Sequence, residues 1–197
     1  MKKTAQIASA SALFALLVPV ACATPSDKAA ASMTAEAPAA AITEADVIAA
    51  QNAWGEALVN ISNTYDTKGI EEAKKLAADI IEAAYHYEEG PVLFKPTLAA
   101  PPTTFRTTAD GALSYFVGQD AKFPGDSGFA LKSWRGYSIE NAAIFINGNT
   151  AISMGNVHLT DAAGNKTTVD KTWAWTRAED GSLQIVLHHS SLPYSAN

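Results

Sequence analysis

The sequence predicts an α+β fold in which N-terminal helices pack on a curved antiparallel sheet. Three observations point there. Apolar residues recur at helical spacing between Val47 and Ala84, the chain beyond Phe129 reads as successive strands, and tight-turn signals separate those strands. Helices first and a meander of strands afterwards is the α+β pattern. A sheet of that kind is expected to curl around the helices and leave a pocket between them.

The first helix has a start signal in Thr43 followed three residues later by Asp46, a capping box. Val47, Ala50, Trp54, Leu58, Ile61 and Tyr65 then repeat at helical spacing. The stretch "TKGIEE" breaks this helix and begins a second, with Ile70, Ala73, Ala77, Ile80, Ile81 and Ala84 on one face. After Gly90, "PVLFKPT" is short and bounded by prolines, and "TTADGALSYFVG" predicts one or two helical turns around Leu113 to Phe116. From Phe129 onward the expected strands are "GFALKSW", "YSIENAAIFI", "TAISMGNVHLT", "KTTVDKTWAWTRA" and "SLQIVLHHSS". Turns at Asn147-Gly148, "DAAGN" and "EDG" join the later ones, so neighbours pair antiparallel.

The final strand can be read by parity, since side chains two apart share a face. Without a bulge, Leu183, Ile185, Leu187, His189 and Ser191 form one set, and Ser182, Gln184, Val186, His188 and Ser190 the other. Adjacent strand histidines then point to opposite sides and cannot easily ligate one metal together.

The N-terminus reads as a leader. Two lysines precede an apolar stretch from about Ile7 to Val20, followed by small residues, which is the pattern of a bacterial secretory signal. Residues 1–23 are expected to be the signal peptide of an exported, periplasmic protein. Cleavage after Ala23 and lipidation of Cys22 both stay open, and contact with a membrane is expected only in the second case. Residues 24–42, rich in alanine and proline, read as a disordered tether, and 43–197 as the folded domain. Cys22 is the only cysteine, so the domain has no disulfide, thiolate metal site or cysteine nucleophile. The formal net charge of −6 makes neither nucleic acid nor an anionic surface a natural partner.

Several segments, taken together and in order, resemble one family: "AQNAWGEALV", "VLFKPT", "FRTTADGALSYFVG", "GFALKSW", "ISMGNVHLTDAAG" and "LHHSSLPY". They are similar to iota-class carbonic anhydrases, in particular the metal-free bacterial and algal branch, over about Ala50 to Tyr194. The resemblance implies a cone-shaped α+β barrel of the nuclear-transport-factor-2-like superfamily, a homodimer, and a pocket in which three hydroxyls hold carbon dioxide or bicarbonate. Carried over by motif, these are Thr97 of "FKPT", Tyr115 of "LSYFVG" and Ser190 of "HHSS". Metal-dependent relatives end in three histidines before the serines. Leu187 stands at the first of those positions here, which disfavours zinc or manganese as a cofactor.

The chemistry suits those residue types. Hydration of carbon dioxide gathers negative charge on its oxygens, and pre-placed O–H donors stabilise that charge without reorganising. A hydroxyl both donates and accepts. With no metal to activate water, a hydroxyl chain is expected to relay its proton to a histidine or to solvent. His188 shares a strand face with Ser190 and is the candidate acceptor, with His189 and Ser191 as secondary candidates. Phe94, Phe105, Phe116, Trp134 and Trp173 are candidate pocket walls as well as core.

Each residue alone has a plainer explanation. Ser190 can cap a strand end, Thr97 can hold a turn after Pro96, and Tyr115 can be a core tyrosine with a satisfied hydroxyl. Two other functions fit the same fold. One is an isomerase or cyclase with a carboxylate base in the pocket, for which Asp170 and Glu140 are the acids to inspect. The other is a non-catalytic binding or dimerisation module.

Overall fold

The computed structural model describes residues 41–195, so the predicted leader, Cys22 and the tether up to residue 40 lie outside the described residues. Helix α1 runs Glu44–Lys68 and helix α2 Ile70–Ala84. Thr43 and Asp46 form the reciprocal capping box, and Gly69, at φ 89°, separates the two helices. That dihedral lies where residues with a Cβ are strained, so a glycine allows the sharp break. Ile42, at the end of the stretch read as tether, is buried, and its amide donates to the Gly148 carbonyl.

Strand β1 is Leu93–Lys95 and helix α3 Ala109–Val117, longer than the one or two turns expected because Thr108 caps it and Gly118 ends it. The segment "GFALKSW" is not a strand. Phe129–Leu131 forms a 3₁₀ turn, Ser133 takes a positive φ, and the strand begins only at Trp134. Strands β2 (Trp134–Asn147), β3 (Thr150–Asp161), β4 (Lys166–Arg177) and β5 (Leu183–Ser191) follow.

The sheet order is β1-β5-β4-β3-β2. β2 to β5 form the antiparallel meander expected from their turns, but β1 joins β5 in parallel, so the sheet is mixed. The helices and the concave sheet face share a core that includes Trp54, Leu58, Ile81, Tyr85, Phe94, Phe116, Trp173 and Trp175. Phe105, expected among the walls, is instead 69% exposed.

Parity fails on β5. Trp175 pairs with Ile185 and Ala174 with Leu187, so two steps on β5 face one on β4. The extra residue, Val186, is a bulge that rotates the strand after it. Ile185 therefore shares the buried face with His188 and Ser190, while His189 remains exposed on the far side.

Candidate active site

Three elements bring the predicted hydroxyls together. The β1/β5 register sets Phe94 beside His188 and Lys95 beside His189, so the chain after β1 reaches Ser190. There the Thr97 and Ser190 hydroxyls hydrogen-bond to each other. Lys95 Nζ donates to the Ser190 carbonyl at 3.0 Å and fastens the same corner. Tyr115 comes from α3, and its ring packs edge-on against Phe94 (5.7 Å between centroids) and flat against Phe129 (5.5 Å).

The Tyr115 hydroxyl is buried and has no hydrogen-bond partner. Burial pushes its phenol well above the usual range, while the Thr97 hydroxyl and the amides of Thr97 and Leu98 lie near enough to oppose that shift. None of these reaches hydrogen-bond geometry. An unpaired buried hydroxyl is costly and uncommon, and it marks a place where a further acceptor fits.

The helix bearing Tyr115 is pinned by charge. Asp126 accepts from Arg106 Nη2 and from the Ser114 hydroxyl, each at 2.7 Å, with both members of the ion pair at most 5% exposed. Arg106 in turn donates its amide to the Phe94 carbonyl, and its own carbonyl accepts from the Tyr87 hydroxyl. The chain segments before and after α3 are thereby tied to β1.

His188 is buried on the Ser190 side of β5, stacked on Phe94 with centroids 4.4 Å apart. Its Nδ1 meets the Tyr85 hydroxyl at 2.9 Å and its Nε2 meets Lys171 Nζ at 2.7 Å. Tyr85 also accepts from the Trp54 indole N–H at 3.0 Å. Burial, with Lys171 close by, pushes the imidazole well below its usual range. Burial also lowers the Lys171 ammonium to about 7. Lys171, Tyr85, Trp54, Asp126 and Arg106 are not among the candidate site residues read from the sequence.

The secondary candidates are placed elsewhere. His189 is exposed and Ser191 half-buried on the outer face of the sheet. His86 bonds Gln184 and His158 bonds Thr168. Neither acid considered for an isomerase points inward: Asp170 is exposed and bonded to Asn156, and the Glu140 side chain is 76% exposed.

Comparison with known proteins bears on this arrangement. A family model described as metal-independent carbonic anhydrase matches residues 45–192. A metal-independent carbonic anhydrase from Nostoc sp. (strain PCC 7120) is 64% identical over 154 residues, covering 78% of this chain and 75% of that protein. The solved cyanobacterial iota-carbonic anhydrase complexed with bicarbonate superposes with a TM-score of 0.79 at 63% identity, covering 79% of this chain and 95% of that one. At fold level only, a structure from Xanthomonas campestris described as a calcium/calmodulin-dependent protein kinase II association domain is similar at TM-score 0.51 and 20% identity, covering 80% of this chain and 96% of that one. The family description agrees with the expectation, drawn from Leu187 and from strand parity, that no metal is needed. The chain belongs to the metal-independent carbonic anhydrase family.

Proposed function

We propose that Thr97, Tyr115 and Ser190 form the site at which this metal-independent carbonic anhydrase interconverts carbon dioxide and bicarbonate. One observation carries the reading: the unpartnered, buried Tyr115 hydroxyl lies beside the bonded Thr97–Ser190 pair. A guest oxygen entering there gains the idle Tyr115 donor and competes with a single hydroxyl–hydroxyl bond for the other two. The ring of Phe94 behind them, with Phe116 stacked on it at 5.8 Å, is an apolar wall suited to a molecule without net dipole. The solved relative's bicarbonate makes the same substrate the natural guest here.

As water attacks, charge grows on the carbon dioxide oxygens, where the idle Tyr115 O–H and the hydroxyls of Thr97 and Ser190, once the guest displaces their mutual bond, can donate. Tyr115 stays a phenol throughout the working pH range because burial opposes its ionisation, so it keeps its proton to donate. The water proton leaves toward His188, which can pass a proton on but not keep one, because burial opposes the charged imidazole.

Two further features belong to this reading. The protein is exported to the periplasm, on the strength of the lysines, apolar stretch and small residues at its N-terminus. It pairs with a second copy through the outer sheet face, where Phe145, Ile152 and Met154 are 63%, 40% and 60% exposed. Stopped-flow hydration of carbon dioxide before and after chelation tests the core of the proposal. Activity that survives chelation is expected. Activity that vanishes and returns only with added zinc or manganese would overturn the metal-free mechanism.

A further inference from the structure

A line of four buried side chains, Trp54, Tyr85, His188 and Lys171, with links of 3.0, 2.9 and 2.7 Å, adjoins the Phe94 ring that also contacts Tyr115. The direction of its hydrogen bonds follows from what each group can do. An indole N–H only donates, so the Tyr85 oxygen accepts from Trp54. The Tyr85 O–H then needs an acceptor, and His188 Nδ1 is the one within reach. With Nδ1 accepting, the neutral imidazole carries its hydrogen on Nε2 and donates it to Lys171 Nζ. An atom that accepts there must be an amine rather than an ammonium. The Trp54, Tyr85 and His188 hydrogens all find acceptors in the line only if Lys171 is neutral. The opposite polarity, with a charged lysine donating to Nε2, leaves the Tyr85 O–H without an acceptor in the line.

Burial without a carboxylate favours the amine: Lys171 is 4% exposed and forms no ion pair among the described residues. The Trp54 and Trp173 rings, 4.3 and 5.2 Å from Nζ, favour the ammonium instead and keep the charged form within reach. The titratable groups around the line are His188 and, sensed through it, His189 on β5, with Tyr85 beyond α2. Tyr85 in turn senses Tyr87 and, from α3, Tyr115. From α1 the line meets only the indole of Trp54, and the acid beside Lys171 in sequence, Asp170, is exposed on the other sheet face. Burial alone brings the ammonium down to about 7, where either form is accessible.

We propose that Lys171 is the proton store of this enzyme, reached from the hydroxyl pocket through Tyr85 and His188 and holding the proton that hydration releases. This rests on the hydration reading above. The water oxygen forms a bond to carbon, one C=O π pair moves onto oxygen, and one O–H bond of the water breaks. The freed proton enters the line at the oxygen of Tyr85, whose ring packs against the Phe94 and Phe116 rings beside Tyr115. Tyr85 passes its own hydrogen to Nδ1, and Nε2 passes its hydrogen to Nζ. The products are bicarbonate and a Lys171 ammonium, and all three groups end in the opposite polarity. The Tyr85 O–H now points back to the pocket, so the same hops in reverse return the proton to a buffer molecule. Lys171 touches no reacting atom. It acts through Tyr85 and His188.

The test combines a titration with turnover. In the intact protein carrying ¹³C,¹⁵N-labelled lysine and histidine, the Lys171 amine should titrate close to neutrality. His188 should switch its hydrogen from Nε2 to Nδ1 in the same step. Lys171→Met and Tyr85→Phe should each lower kcat for hydration in weak buffer about tenfold or more with KM unchanged, erase the near-neutral step in its pH profile, and recover in concentrated imidazole-type buffer. An ammonium that persists above pH 9, with His188 protonated on Nδ1 throughout, would overturn the proposal whatever the rates are. So would wild-type turnover by folded Lys171→Met in weak buffer where Ser190→Ala is dead, which would leave the hydroxyl site standing. Wild-type turnover by Ser190→Ala would instead remove the hydroxyl site, and with it the role of the line in hydration.

Discussion

The hydroxyls of Thr97 and Ser190, 93 residues apart in sequence, are hydrogen-bonded to each other. The parallel pairing of β1 with β5 makes this contact, because it carries the end of "FKPT" alongside "HHSS". Tyr115 completes the group from a helix whose position depends on the Arg106–Asp126 pair.

Removing one of these hydroxyls should damage turnover and leave the fold intact. Ser190→Ala and Tyr115→Phe each delete one O–H donor and keep the surrounding volume. Loss of a single pre-placed donor costs roughly 10²–10³ in kcat. Stopped-flow hydration, with thermal melting to establish folding, checks this, and wild-type rates in either variant would contradict it.

Stability should depend on pH with a maximum on the alkaline side. Between about 7 and 10.5 the unfolded lysine binds a proton that folded Lys171 does not, so stability rises with pH across that window. His188 adds to this below the ordinary histidine range, where the unfolded ring charges and the buried one resists, so stability falls as the solution is acidified. Above about 10 the signs reverse, because unfolded tyrosines ionise while Tyr85, Tyr87 and Tyr115 are held protonated by burial. Denaturant melts from pH 5 to 11 should show the rise and the fall, and the Lys171→Met protein should show a flatter rise between 7 and 10.

Breaking the buried ion pair should be expensive. Asp126→Ala leaves Arg106 charged, 2% exposed and without its carboxylate partner. Removing one member of such a pair costs about 3–5 kcal/mol. Chemical denaturation measures this, and a change below about 1 kcal/mol would show that the pair does not hold α3 in place.

The β2–β3 pairing has a tight spot at Gly155. A Cβ there would overlap the carbonyl oxygen of Glu140 on the neighbouring strand, beside the register shift between Asn141 and Ala143. Backbone cannot move aside as a side-chain tip does, so Gly155→Ala should lower the melting temperature by several degrees, on the order of 1–3 kcal/mol.

Much of the fold could be read from the sequence because its signals are local. The Thr43–Asp46 box, the Gly69 break and the Asn147-Gly148 turn each act over a few residues, and each stands where the residues predict it. The parallel β1–β5 pairing and the Val186 bulge were not legible, since both depend on contacts distant in sequence. The 3₁₀ turn at Phe129–Leu131 departs from the strand expected there because its apolar residues suit either state. The hydroxyl trio came from a resemblance across separated motifs, not from spacing. Lys171 had a readable signal: in "VDKTWAW" it is in phase with Val169, Trp173 and Trp175, so a lysine sits where core residues alternate. Its partner was not readable, because only the β4–β5 register brings His188 alongside. Asp126 and Arg106 lie in irregular chain, where no periodicity announces burial.

The most direct test of the central claim is a crystal structure of the protein soaked in bicarbonate. The account predicts the anion bound among Thr97, Tyr115 and Ser190, with its oxygens about 2.6–3.0 Å from all three hydroxyls. Bicarbonate bound elsewhere, or a Tyr115 hydroxyl still without a partner beside an undisturbed Thr97–Ser190 bond, would contradict it.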